Sequence, residues 1–328
     1  MPDVAHAALR DRRDMKADPI SGNSRHALIL GCYSRLPIEA LEPFARTLKA
    51  TDFHGRFHII AAGYDRDGLD RLAELADHVR PVDDDYSVTR PPMSAVLGHV
   101  KHQRGARRFY APLFQAVVRC APERNSLDRW RNLEYYLEGL QSLRYGHYYR
   151  AIIEDAPDAA IVMISDLRDV VFQRDPFAEP VDGLELYLES SSETIGEKGW
   201  TTEWLLDLYG DRFVDARRGH VVSCSGTVIG TRAAMLAYLS EMQAAIIWRR
   251  RPMGHHDQGV HNWLIQSKRV PYATLVRNEY GRVITLGTMG SPRIEEGVVL
   301  NADGSVPAVV HQWDRHPELV PLFGKSRG

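Results

Sequence analysis

Cysteine is scarce in this chain: three among 328 residues, Cys32, Cys120 and Cys224, widely separated and never in a C-x-x-C spacing. A small, odd, scattered set builds neither a disulfide framework nor a zinc site, and it suits a reducing compartment. Long apolar runs are also missing, and none approaches the roughly 20 residues that span a bilayer. The stretch from Met1 to Arg25 is charged and has no apolar centre. It is expected to be a flexible tail rather than a secretory signal. The expected location is the cytoplasm, with peripheral attachment to a membrane left open. There is no excess of positive charge either. A formal net charge of −2 argues against a dedicated nucleic-acid binder, which would be basic. Neither an internal repeat nor a low-complexity segment interrupts the chain. With 44% hydrophobic and 26% charged residues, it has the means to build one large α/β domain. One domain over residues 26–320, with a short tail at 321–328, is the economical reading.

What is present is an alternation of strand and helix patterns. His26 to Tyr33 reads as a first strand and Ile38 to Ala50 as a helix. Arg56 to Ala62 is a second strand, Leu69 to Ala76 a second helix, and Val79 to Val82 a short third strand. Such alternation implies parallel crossovers and a doubly wound sheet. The first strand is not followed by G-x-G-x-x-G, which argues against a dinucleotide site. Residues 87–131 break the rhythm. Pro91-Pro92 stops the pattern, and Lys101, His102, Arg104, Arg107 and Arg108 crowd beside Phe109 and Tyr110. This basic insertion reads as a solvated helix face, or as a place for an acceptor. Leu133 to Tyr149 is strongly helical and brings Arg144 and Tyr148 to one side.

The organising stretch follows. Ala160 to Ile164 is an unbroken apolar run that stops at Asp166-Leu167-Arg168-Asp169. A run of that kind reads as a strand covered on both faces. Ligands collect beyond the carboxyl ends of such strands, and two carboxylates there can hold a divalent cation against a phosphate. A simple turn pair is the competing reading. Val221 to Gly230 is a strand of small residues in which Ser225 and Gly226 allow close approach to the backbone. Gly254 to Ile265 is a polar cluster opening a helix, with Asp257 and Gln258 in it. Ala308 to Val310 leads into His311 and Arg315. Asp166, Asp169 and His311 make a plausible octahedral site for Mn²⁺ or Mg²⁺ when a diphosphate completes the shell. Arg144, Arg168 and Arg315 offer guanidinium forks to the same phosphates.

In this order the residues resemble the metal-dependent glycosyltransferases of GT-A fold, of the retaining type represented by glycogenin and the lipopolysaccharide galactosyltransferases. The likeness runs from about Arg25 to Pro317. The family's Asp-x-Asp is matched by Asp166-Leu167-Arg168-Asp169, with one extra residue between the carboxylates. Its Asp-Gln motif is matched by Asp257-Gln258 with Asn262, its Ser-Gly strand by Ser225-Gly226, and its late histidine by His311. The family's phosphate-binding lysine is absent, and Arg315 or His316 would replace it. The resemblance implies a Rossmann-like, mixed and mostly parallel sheet flanked by helices. It also implies a Mn²⁺- or Mg²⁺-dependent transfer of a hexose from a nucleotide-sugar, UDP-linked, to a glycan, lipid-linked or small-molecule acceptor. Under it Tyr33 stacks on the base and Asp65 meets the ribose or base. Asp257 binds donor-sugar hydroxyls, and Gln258 stabilises positive charge at the anomeric carbon, in place of the two-carboxylate arrangement of retaining hydrolases. Satisfied caps, strand ends and packing are the alternatives for Asp257, His311 and Tyr33. The tryptophans are expected mostly in the core, with Trp313 as a candidate to line a sugar pocket. A nucleotidyltransferase, or a non-catalytic nucleotide- or glycan-binding protein of the same fold, would share much of this pattern.

Overall fold

A computed structural model of the chain describes residues 24–82, 140–247 and 257–324. The basic insertion, most of the N-terminal tail, Cys120, residues 254–256 of the polar cluster and the last four residues lie outside them. The strand–helix alternation is realised. Strand β1 (Ala27–Ser34) leads through a 3₁₀ turn (Ile38–Leu41) into helix α1 (Glu42–Lys49). Then come β2 (Arg56–Ala62), α2 (Arg66–Ala73) and β3 (His78–Val82). Helix α3 (Leu140–Glu154) delivers the chain to β4 (Ile161–Ser165), followed by β5 (Val170–Phe172) and β6 (Leu184–Leu188). Helices α4 (Trp200–Tyr209) and α5 (Asp211–Asp215) precede β7 (Ser223–Thr231), α6 (Arg232–Ile247) and α7 (Asp257–Gln266). The C-terminal part holds β8 (Ala273–Val276), β9 (Val283–Thr285), β10 (Arg293–Glu295), β11 (Val298–Leu300), β12 (Val309–His311) and α8 (Val320–Phe323).

Seven strands form the central sheet in the order β3-β2-β1-β4-β7-β6-β8. Strands β3, β2, β1 and β4 are parallel to one another, β6 is parallel to β8, and β7 runs antiparallel to both of its neighbours. The sheet is therefore mixed and mostly parallel, with β7 the reversed member. The apolar runs in the sequence have a direct cause here: both faces are covered. Leu28, Leu30, Val162 and Ile164 pack under α3, α6 and α7, against Tyr145, Tyr148, Met235, Leu239 and Leu264. Their alternates Ala27, Ile29, Ile161 and Met163 face Phe44 and Leu48 of α1 and Leu72 of α2. Successive side chains on a strand point to opposite faces, so a strand covered twice must be apolar at every position.

A second, small sheet decides where the chemistry falls. Its order is β5-β12-β9, with β12 antiparallel to β5 and parallel to β9. One side of it packs on Phe44 and Phe177, and the other on Trp313, Leu319 and Phe323. Trp313 is therefore a core residue edge-on to Phe323, not a pocket wall. The 321–328 stretch is also partly structured, because α8 packs Phe323 into the same core.

Candidate metal centre and the cavities beside it

The strand directions bring distant segments to one edge. Strands β1, β4 and β6 present their carboxyl ends there. The reversed β7 presents its amino end, so Ser225 and Gly226 lie beside Asp166, whose N–H donates to the Gly226 carbonyl at 2.7 Å. After Asp169 the chain enters β5, whose partner β12 pairs His311 with Val170. The Gln312 N–H then donates to the Asp169 carbonyl at 2.6 Å.

Asp166, Asp169 and His311 thus converge, with their ligand atoms all within 4.8 Å of one another. His311 Nε2 lies 3.7 Å from Asp166 Oδ2 and 3.8 Å from Asp169 Oδ1. Two oxygen or nitrogen ligands about 2.1 Å from one octahedral ion sit about 3–4 Å apart, so the spacing suits a small divalent cation. Two further observations bear on that fit. The His311 ring is fully buried, yet its Nε2 has no hydrogen-bond partner. A buried polar atom left unpaired is costly unless something else satisfies it. Gly226 also leaves the space open. A Cβ there would fall 2.5 Å from both Asp166 Oδ2 and His311 Cε1, and 2.9 Å from His311 Nε2. The other ring nitrogen, Nδ1, sits 3.6 Å from Cys224 Sγ, which holds the ring with Nε2 toward the carboxylates.

The two aspartates differ electrostatically. Burial pushes both carboxyls up. At Asp166 the Arg144 guanidinium and His311 outweigh that and hold it well below the usual range. At Asp169 burial prevails, reinforced by Asp166 and Asp314, and its pKa is raised. Arg144 forks between two acids: Nη1 donates to Asp166 Oδ1 at 2.6 Å and Nη2 to Asp257 Oδ2 at 2.7 Å. The Tyr145 hydroxyl adds a third bond at 3.0 Å to Asp257 Oδ2. Burial disfavours the Arg144 cation, but Tyr145, Asp166 and Asp257 keep its pKa above the ordinary arginine value.

Two cavities adjoin this centre and share Arg144 and Asp166. One, of about 390 Å³, is lined by Cys32, Tyr33 and Ser34 from the end of β1, with Arg168 and Asp169. The other, of about 380 Å³, is lined by Glu189, Ser225, Gly226, Asp257, Gln258 and Arg315, with Trp200, Trp204 and others. In the first, the Tyr33 ring is buried and parallel to Tyr64 at 6.1 Å, and its hydroxyl donates to the Pro37 carbonyl. Arg168 is half-exposed and pairs with Asp314 at 3.4 Å. Asp65 lines neither cavity. It caps α2 by accepting from the Gly68 N–H at 2.9 Å.

In the second cavity Gln258 is held from all sides. Its Nε2 donates to Glu189 Oε1 and to Thr201 Oγ1, both at 2.9 Å, and its Oε1 accepts from the Ser225 N–H at 3.4 Å. Asn262 ties the start of α7 to β7 through the Ser223 N–H and carbonyl. Glu189, Glu193, Trp200 and Trp204 were not singled out from the sequence. For Glu189 the signal existed: it follows the apolar strand β6 as Asp166 follows β4. For the tryptophans, apolar character read as core concealed a position at a cavity mouth.

No protein-family model matches the chain, and no curated protein does so either. Among the described residues, no helix is long and apolar enough to cross a membrane.

Proposed function

We propose that the protein is a glycosyltransferase of GT-A type, of the retaining class, using a nucleotide-diphosphate sugar with UDP as the nucleotide. The observation that carries this reading is the convergence of Asp166, Asp169 and His311 beside two cavities that share Arg144 and Asp166. One cavity opens on the end of β1 and the other on Gln258 and Asp257, as a nucleotide and a sugar joined by a diphosphate would require. The mixed, mostly parallel sheet is the arrangement expected for that fold. Asp166, Asp169 and His311 would hold a Mn²⁺ or Mg²⁺ ion, which supplies neutralisation of charge on a departing diphosphate.

The remaining roles belong to the chain itself. Arg144 keeps Asp166 ionised and holds Asp166 and Asp257 in fixed orientation, and it brings positive charge to the diphosphate side. Asp257, whose Oδ1 accepts from the Gln258 N–H at 3.0 Å and keeps a second lone pair, orients donor-sugar hydroxyls. Gln258 cannot rotate, because both of its amide hydrogens are donated to Glu189 and Thr201. Its carbonyl oxygen is thereby held toward the cavity wall at Ser225, where it can stabilise positive charge developing on a sugar. Arg315 replaces the family's lysine as the cation near the late histidine.

Titration calorimetry with UDP in the presence and absence of Mn²⁺, followed by a hydrolysis assay over a panel of nucleotide-sugars, tests the reading. The expected result is UDP binding that depends on the metal, together with slow metal-stimulated hydrolysis of one donor. Binding without hydrolysis of any donor would instead identify a non-catalytic nucleotide-binding protein. No binding of UDP with metal would remove the transferase reading.

A further inference from the structure

One part of the second cavity's lining is built from a single stretch of chain. Between β6 and the middle of α4 it contributes Glu189, Glu193, Trp200, Thr201 and Trp204. Trp200 is the first residue of α4 and is 74% exposed, the largest exposure among the big apolar side chains described. Exposing an indole to water has a cost that folding could avoid, and such exposure at a cavity mouth marks a contact surface. Trp200 is not isolated. Its ring centroid lies 6.3 Å from that of Trp204, tilted by 45°. Trp204 in turn is wedged against α7 at Gly259, where a Cβ would meet the Trp204 Cβ at 3.1 Å. The two indoles therefore form a supported step from the helix packing out to the opening.

The polar groups beside that step are acceptors. Glu189 and Glu193 both carry carboxyl groups whose pKa burial raises. Glu189 is buried and already accepts from Gln258 and Thr288. Among the described residues this stretch places no cation on the cavity. Of the cavity's two cations, Arg144 is committed to Asp166 and Asp257, and Arg315 comes from the turn after β12 rather than from this stretch. An apolar face next to carboxylates suits a ring with aliphatic C–H on one face and hydroxyl donors on its edge. It repels phosphate and carboxylate.

We propose that Trp200, supported by Trp204 and flanked by Glu189 and Glu193, is a binding site for a neutral pyranose ring, the acceptor of the transfer. As an acceptor site it rests on the glycosyltransferase reading above; as a sugar site it does not. The geometry accounts for the placement, because the platform opens into the same cavity as Gln258 and Asp257.

The test is saturation-transfer NMR on the full chain with methyl glucoside, methyl galactoside and methyl mannoside. Glucose 6-phosphate and glucuronate serve as charged counterparts. At least one neutral glycoside is expected to receive saturation, and the charged sugars none. Trp200→Ala, with an unchanged circular-dichroism spectrum, is expected to lose that signal at least threefold, and Trp200→Phe to retain part of it. Undiminished transfer in Trp200→Ala overturns the site, as does preference for the charged sugars or no transfer to any neutral glycoside. Calorimetry with UDP and Mn²⁺ on the same preparation separates the two ideas. A protein that takes neutral glycosides at Trp200 but no UDP keeps the sugar site and loses the transferase. One that binds UDP with metal and ignores every neutral glycoside does the reverse.

Discussion

His311 stands opposite Val170 in the antiparallel pairing of β12 with β5. That single register places a residue near the end of the chain beside Asp169, which immediately precedes Val170. The imidazole is then 3.8 Å from the Asp169 carboxylate and 3.7 Å from that of Asp166. A slip of one residue would turn the imidazole to the other face of the small sheet, because side chains alternate along a strand. Four expectations follow from this arrangement and its surroundings.

Asp169 and Gln258 are assigned different tasks, so their variants should separate. Asp169→Asn is expected to abolish metal-dependent UDP binding in calorimetry. Gln258→Ala should bind UDP with Mn²⁺ as the parent does and lose most of its donor turnover. Equal loss of binding in the two variants would mean the roles are misassigned.

Gly226 is expected to be irreplaceable for a reason unrelated to its backbone. Its β-position is occupied by Asp166 Oδ2 and His311 Cε1, both at 2.5 Å. Gly226→Ala should weaken Mn²⁺ binding at least about tenfold, equivalent to about 1.4 kcal/mol. The readout is the rise in melting temperature on adding Mn²⁺. A metal-induced rise as large as the parent's would show that the ligands do not depend on this space.

Arg144 bridges two acids that are otherwise unconnected. Arg144→Met leaves Asp257 buried with the Tyr145 hydroxyl and the Gln258 N–H as donors but no cation partner. Removing one partner of a buried pair typically costs about 3–5 kcal/mol. The double variant Arg144→Met with Asp257→Asn should recover part of that loss in urea unfolding. Strict additivity of the two substitutions would argue that no coupling exists.

Two buried histidines set an acid limit on stability. Burial lowers His261 to about 3; burial, with His78 and Arg56 nearby, lowers His58 to about 4. His261 is neutral by its bonds as well. Ser223 Oγ donates to the Tyr187 carbonyl, so His261 Nε2–H donates to Ser223 and Nδ1 accepts from Tyr238. Both folded values lie below the ordinary 6.5. The unfolded chain therefore binds more protons in that window. The contribution is fully present above about pH 6.5 and is lost as pH falls toward 4, at up to about 1.4 kcal/mol per pH unit for each histidine. Urea unfolding between pH 7.5 and 5 should show this slope, and His58→Asn or His261→Asn should flatten it. A slope unchanged in both variants would place the acid sensitivity elsewhere.

The sequence by itself determined the strand–helix alternation, because a strand covered on both faces is apolar at successive positions, as Ala27–Leu30 of β1 and Ile161–Ile164 of β4 are. It also determined that carboxylates would end β4, and it marked Gly226, Asp257, Gln258 and His311 by their place at strand or helix ends. The tertiary structure alone decided which of these meet. Pairing of β12 with β5 and reversal of β7 are long-range choices that no local pattern encodes. Asp65, by contrast, caps α2 through a local bond to the Gly68 N–H. The long-range choices bring His311 and Gly226 to Asp166 and lay Tyr33 parallel to Tyr64. They also put Trp313 inside and Trp200 outside, a distinction that residue type cannot make, since an indole serves a core and a contact surface equally well.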